Sequence, residues 1–161
     1  MSESNTKILV VGPSWVGDMV MAQSLFMVLC EQFPNCEIDV MSPGWSLPLL
    51  ARMPEVRDGL EMPLGHGQLQ LGLRRKLGKS LIEKHYDRVY VLPNSLKSAL
   101  IPFWAKIPMR TGYVGELRWG LLNDARKLDK KALTKTVQRF VALALEKTST
   151  PPQTWPYPKL T

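Results

Sequence analysis

The segment Gly12-Pro13-Ser14-Trp15-Val16-Gly17-Asp18 is the part of this chain best equipped for chemistry. It follows a continuous apolar run, Lys7 to Gly12, and opens a stretch of helical spacing, so it is a strand-to-helix turn. In open α/β sheets, ligands bind just outside such carboxyl strand ends. Two phosphate-binding patterns can be tested there. Gly12 and Gly17 have the glycine spacing of a Walker A loop, but that loop continues with Lys and then Ser or Thr, and here Asp18 and Met19 follow. A phosphate would meet a carboxylate. The dinucleotide pattern G-x-G-x-x-G fails as well, because Ser14 stands where its second glycine belongs. Asp18 keeps two readings. On spacing alone, a helix cap is the commoner one. The other is a general base, a carboxylate favoured by the helix dipole and partly desolvated by its apolar neighbours Trp15 and Met19.

The remaining candidates are cationic or sit in loops. His66 lies between Gly65 and Gly67, which free the backbone to fold over a ligand or simply to turn. Arg74, Arg75, Lys76 and Lys79 form a basic run within a helical stretch. Lys97 belongs to the segment Asn94-Ser95-Leu96-Lys97-Ser98 that follows another apolar strand, and Arg110 and Arg118 are weaker candidates. For each cation taken singly, a solvated surface role is as common as a contact. His85, beside Tyr86 at a helix end, reads as structural. Cys30 and Cys36 have no histidine nearby and read as buried free thiols, and no His, Asp and Glu cluster suits a metal.

The elements that position these residues alternate. Lys7 to Gly12 reads as a strand buried on both faces and Glu37 to Ser42 as the next strand, with a helix from Asp18 to Phe33 between them. A short helix over Trp45 to Met53 and a weak strand over Gly59 to Leu64 follow, the Pro63 of the latter suggesting an edge or a strand end. Gln68 to His85 is helical by period, with its leucines on one side and the basic run largely on the other. Arg88 to Leu92, Ser95 to Trp104, Arg110 to Val114 and Leu133 to Lys147 complete the pattern as strand, helix, strand and helix. Alternation of this kind predicts an α/β domain with a mostly parallel sheet and helices on both faces. Thr148 to Thr161 holds four prolines in fourteen residues and reads as an extended linker, which implies a further domain beyond it.

Charge narrows the partners. Residues 1–70 carry 3 basic and 8 acidic side chains, and residues 71–161 carry 18 and 6, so the halves stand at −5 and +12. An excess of this size points to an anionic partner: nucleic acid, lipid head groups or phosphorylated sugars. No RNP pair, KH clamp or zinc-finger spacing supports nucleic acid, and a non-catalytic module for anionic ligands is the alternative to an enzyme. No apolar run approaches the roughly 18 residues that a membrane-spanning helix needs. The short polar N-terminus lacks the order of a signal peptide, which predicts a cytoplasmic protein.

The run GPSWVGDMVMAQSL resembles the opening of the ADP-heptose:lipopolysaccharide heptosyltransferases of glycosyltransferase family 9. MPLGHG from Met62, RRKLG from Arg74, YVLPNSLKSAL from Tyr90 and RWGLLND from Arg118 resemble the second of the two heptosyltransferase types. The resemblance implies a GT-B enzyme of two Rossmann-like domains. Residues 1–147 would be the N-terminal, acceptor-side domain and 148–161 the start of the linker, with the ADP-heptose donor held by a C-terminal domain that this chain lacks. It implies Asp18 as general base in an inverting transfer to a heptosylated Kdo2-lipid A, with no cofactor. It also implies acceptor contacts from Ser14, Trp15, Gly17, His66, Arg74, Arg75, Lys76, Lys79, Asn94, Ser95 and Lys97. An isolated half of such an enzyme is expected to be inactive, and the whole enzyme, whose acceptor is a lipid, is expected in the cytoplasm at the inner face of the inner membrane.

Overall fold

The computed structural model describes residues 6–62, 70–93, 95–114, 120–146 and 150–161. Six strands form one sheet: β1 (Lys7–Val11), β2 (Glu37–Ser42), β3 (Val56–Glu61), β4 (Arg88–Val91), β5 (Met109–Tyr113) and β6 (Asp124–Arg126). Their order is β3-β2-β1-β4-β5-β6 and every neighbouring pair is parallel. This is the Rossmann order, in which the chain runs outward in one direction from β1 and then returns to start in the other from β4.

Alternation along the strands builds two cores. Ile8, Val10, Ile38, Val40 and Tyr90 face α1 (Val16–Gln32) and α5 (Thr136–Ala142), meeting Met19, Leu25, Phe26, Leu29 and Phe140. Leu9, Val11, Met41, Val89 and Val91 face the other way, onto α3 (Leu71–Leu81) and α4 (Leu96–Trp104). Strands buried on both faces explain why β1 and β4 are near-continuous apolar runs. Helices α3 and α4 touch through Gly78, where a Cβ would lie 2.7 Å from Trp104 Cβ and 2.8 Å from the Ile101 carbonyl oxygen. A glycine is therefore what lets the two helices approach so closely.

One polar residue is built into the second core. Asp39, fully buried in β2, accepts hydrogen bonds from Arg57 Nε at 3.0 Å, Arg57 Nη2 at 2.6 Å and the Tyr86 hydroxyl at 2.5 Å. A buried carboxylate persists only when paired in this way. The β2–β3 register slips between Ile38 and Asp39, leaving Arg57 as the extra residue of β3 beside its partner.

Several elements differ from the sequence expectation. The short helix after β2 is a 3-10 turn, Gly44–Ser46, leading into α2 (Leu47–Leu50), and α3 gives way to a 3-10 turn at Ile82–Lys84. β3 begins and ends earlier than expected and is an edge, as Pro63 suggested, while α5 is shorter than expected. β6 was not anticipated. The two thiols are free and half-buried, with sulfurs 3.8 Å apart, and burial pushes Cys30 up to about 12.

Residues 150–161 contain no helix or strand, yet they are not loose. Ser24 Oγ donates to the Pro156 carbonyl at 2.6 Å, Gln138 Nε2 to that of Pro152 at 3.1 Å, and Arg52 Nε to that of Thr161 at 2.7 Å. Lys135 lies over the Trp155 ring at 5.6 Å, and Leu160 packs against the first core. The proline-rich segment is an extended strap laid across α1 and α5.

Candidate functional site at the carboxyl edge of the sheet

The chain reverses direction between β1 and β4, and the crevice of a doubly wound sheet opens there. Past the strand ends the ladder continues by one bond on each side. Gly12 N–H donates to the Met41 carbonyl at 2.9 Å, and Leu92 N–H to the Val11 carbonyl at 3.1 Å. The loop 12–15 and the segment that begins at Pro93 are thereby neighbours. At Gly12 a Cβ would meet Met19 Cε at 2.7 Å and Val40 Cγ1 at 3.2 Å, so the helix start sits tightly on the strand end. At Gly17 a Cβ would meet nothing within 4 Å, and that side of the turn is open.

Asp18 is the third residue of α1. The cap position belongs to Trp15, whose backbone is extended and whose carbonyl accepts from Met19 N–H at 2.9 Å, and no side chain makes a cap hydrogen bond there. Asp18 is therefore not the helix cap that spacing alone favours. Its carboxylate is half-buried and, among the described residues, has no hydrogen-bond or ion-pair partner. Such a group at a crevice can accept a proton from a bound hydroxyl without first breaking a structural bond. Ser14 is half-buried beside it, Gly17 is exposed, and Trp15 is 68% exposed at the lip of the crevice.

On the β4 side, Ser95 is the extended cap residue of α4, and Ser98 Oγ donates to its carbonyl at 2.6 Å. Lys97 is half-buried in the first turn. Asn94 lies outside the described residues, as do His66 and Arg118.

The basic run of α3 does not act as one surface. Arg74 is only 4% exposed: it lies on the buried face with Gly78 and Leu81, and its Nη1 donates to the Lys97 carbonyl at 3.3 Å. Burial lowers its pKa. The expectation that the leucines define one side and the cations the other fails here, because the close α3–α4 contact at Gly78 rotates Arg74 inward. Arg74 thus braces the first turn of α4 from inside. Arg75, Lys76 and Lys79 are exposed. Arg75 and Lys79 face the far end of α4 and the start of β5, where they line a depression of about 640 Å³ together with Arg110. Arg110 is held by its own backbone surroundings, Nε to the Leu121 carbonyl at 2.7 Å and Nη1 to that of Ile107 at 2.8 Å.

One residue at the carboxyl edge escaped the sequence reading. Trp45, in the turn after β2, is 45% exposed. Its signal was the Pro43-Gly44 pair at a strand end, which holds an aromatic outward instead of returning it to the core. A Cβ at Gly44 would lie 2.5 Å from Glu61 Oε1, so the turn packs closely against the Glu61 side chain. Among the described residues no three His, Cys, Asp or Glu side chains gather as a metal would need, and no helix is long and apolar enough to cross a membrane.

Fold and crevice together define a Rossmann-like α/β domain whose switch point carries a carboxylate with no partner among the described residues. The sequence pattern of glycosyltransferase family 9 (heptosyltransferase) matches residues 74–161, and the chain belongs to that family. It is 63% identical over 141 residues to lipopolysaccharide heptosyltransferase 2 of Escherichia coli strain K12 and 64% identical over 141 residues to that of Salmonella typhimurium strain LT2. In each case the alignment covers 88% of this chain and 40% of the relative. The solved E. coli ADP-heptose LPS heptosyltransferase II superposes with a TM-score of 0.87 at 52% identity, over 97% of this chain and 46% of that one. The chain thus spans about 40% of the length of the curated relatives it matches.

Proposed function

We propose that this chain is the acceptor-side domain of a heptosyltransferase of the second type. In this reading it takes part in moving L-glycero-D-manno-heptose from ADP-heptose to the heptosylated Kdo2-lipid A inner core of lipopolysaccharide. The observation that carries the reading is the unpartnered carboxylate of Asp18 in the switch-point crevice, in a chain of this family. The acceptor hydroxyl attacks the anomeric carbon as Asp18 takes its proton. The new carbon–oxygen bond forms on one face while the bond to ADP breaks on the other, which inverts the anomeric centre. Asp18 ends neutral and ADP carries away the electron pair. No metal and no cofactor is invoked.

Residues 1–147 form the acceptor domain and 148–161 lead toward a donor domain, which corresponds to the part of the relatives that this chain does not span. Ser14, Trp15 and Gly17 wall the acceptor on the β1 side, and Asn94, Ser95 and Lys97 on the β4 side. His66 belongs to the same acceptor set. Lys76, exposed on α3, is a further contact to the anionic inner core; Arg74 serves that core indirectly, by holding the Lys97 turn. The protein works in the cytoplasm, at the inner face of the membrane that holds its lipid acceptor.

The test is Asp18→Asn in the full two-domain enzyme, assayed for heptose transfer. Loss of a general base lowers turnover by roughly 100- to 10,000-fold. Turnover near that of the unaltered enzyme would leave Asp18 as an ordinary first-turn acid.

A further inference from the structure

At the opposite edge of the sheet, away from the crevice, the depression between α3, α4 and β5 collects four cations: Arg75, Lys79, Lys106 and Arg110. The rest of its lining is apolar, Phe103, Trp104, Ile107 and Pro108, and no acidic side chain among the described residues lines it. Because α4 runs back from the carboxyl end of β4 and β5 starts anew at Met109, this site lies at the amino edge. Strands of four to five residues separate it from Asp18 by about 15 Å. It is thus distinct from the acceptor crevice.

Three features describe what it binds. Arg75, Lys79 and Lys106 have no hydrogen-bond or ion-pair partner among the described residues, so their charge is directed outward. Lys106 adopts φ 55°, the left-handed conformation that usually selects glycine after a helix, and here the position carries a cation instead. Two apolar side chains of its lining reach solvent beside the cations, Phe103 at 40% exposure and the exposed Pro108. The Arg110 guanidinium covers the Phe103 ring at 5.5 Å, which removes that face from base stacking and argues against single-stranded nucleic acid. Cations ringed by protruding apolar groups match the boundary between phosphate head groups and acyl chains.

We propose that this basic, apolar-flanked depression docks the domain on an anionic phospholipid bilayer, with head-group phosphates between Arg75, Lys79, Lys106 and Arg110 and with Phe103 and Pro108 entering the interface. It deepens the proposed function by giving the membrane-side partner a site, but it is independent of Asp18. Its failure would leave transfer to a detergent-dispersed acceptor untouched.

The experiment is co-sedimentation with vesicles of phosphatidylcholine alone or with added phosphatidylglycerol. The chain is expected on the anionic vesicles only. The triple change Arg75→Gln, Lys79→Gln and Lys106→Gln should weaken this binding by roughly tenfold or more, by analogy with juxtamembrane basic clusters. Removing the same charge elsewhere, by Lys127→Gln, Lys130→Gln and Lys131→Gln, should change it far less. Lys106→Gly relieves the backbone strain, so it should keep or raise the unfolding midpoint while binding falls, which separates docking from folding. Phe103→Ser should weaken binding with charge unchanged. Equal loss in both triple variants would overturn the proposal in favour of net charge alone. Release by inorganic phosphate at constant ionic strength would overturn it in favour of a small-anion pocket, and so would indifference to phosphatidylglycerol or to the first triple change.

Discussion

Gln23 and Lys159 grip each other by two hydrogen bonds: Lys159 N–H donates to Gln23 Oε1 at 2.9 Å, and Gln23 Nε2 donates to the Lys159 carbonyl at 2.8 Å. The same amide nitrogen donates to Glu55 Oε1 at 2.8 Å. A fully buried glutamine on α1 thus ties the strap to the helix and to the loop before β3.

Gln23→Ala should cost about 1–3 kcal/mol, because it leaves the strap backbone and Glu55 without their partner. Urea unfolding measures the loss. Limited proteolysis should cut within residues 150–161 earlier in the variant, and an unchanged cleavage rate would mean that the strap is held without this residue.

Asp18→Asn should leave folding nearly unaltered. With no cap bond to lose, only the interaction with the helix dipole is removed, about 0.3–1 kcal/mol. A drop in the urea midpoint well beyond that would assign Asp18 a structural role that the described contacts do not contain.

Arg74 and Arg75 are neighbours with opposite fates. Arg74→Gln should destabilise by about 1.5–3 kcal/mol, the range for a buried charged hydrogen bond, whereas Arg75→Gln, on the exposed side, should stay within about 0.5 kcal/mol. Comparable midpoints for the two variants would refute the inward placement of Arg74.

Tyr86 makes stability sensitive to alkali. Burial first, and then its hydrogen bond to Asp39, raise its pKa above the ordinary value, and burial pushes Tyr113 up to about 12. The unfolded chain releases these protons first. The stability that they contribute is therefore complete below about pH 10, the ordinary tyrosine value, and is lost as pH rises beyond it. Tyr86→Phe should cost about 1 kcal/mol at neutral pH and make the alkaline decline shallower. Midpoints measured from pH 7 upward test both parts.

The chain alone should bind ADP-heptose weakly and transfer nothing, since attack geometry requires donor and acceptor to be held together, an advantage of several kcal/mol. Calorimetry with ADP, ADP-heptose and a Kdo-containing acceptor, beside a turnover assay, decides this. Tight ADP binding or measurable transfer would contradict the half-enzyme reading.

Much of this protein was readable from its residues because local periodicity reports burial. Ile8 to Val11 and Val89 to Val91 are apolar throughout because both faces of the sheet are covered, and Asp18 stood out by occupying the place of a phosphate-loop lysine. β6 was not readable. Asp124–Arg126 is three half-buried residues at a sheet edge, too short to show a period, and parallel pairing with Thr111–Tyr113 makes it a strand. The division of the basic run was equally hidden. Spacing along α3 states which residues share a side, but the angle at which that side meets its neighbour is fixed by the close contact at Gly78, which turns Arg74 inward and leads Arg75 and Lys79 toward Lys106 and Arg110. The strap shows the same limit from the other direction: its prolines predicted an extended segment, but only contacts across more than 130 residues, such as Gln23 with Lys159, decided where that segment lies.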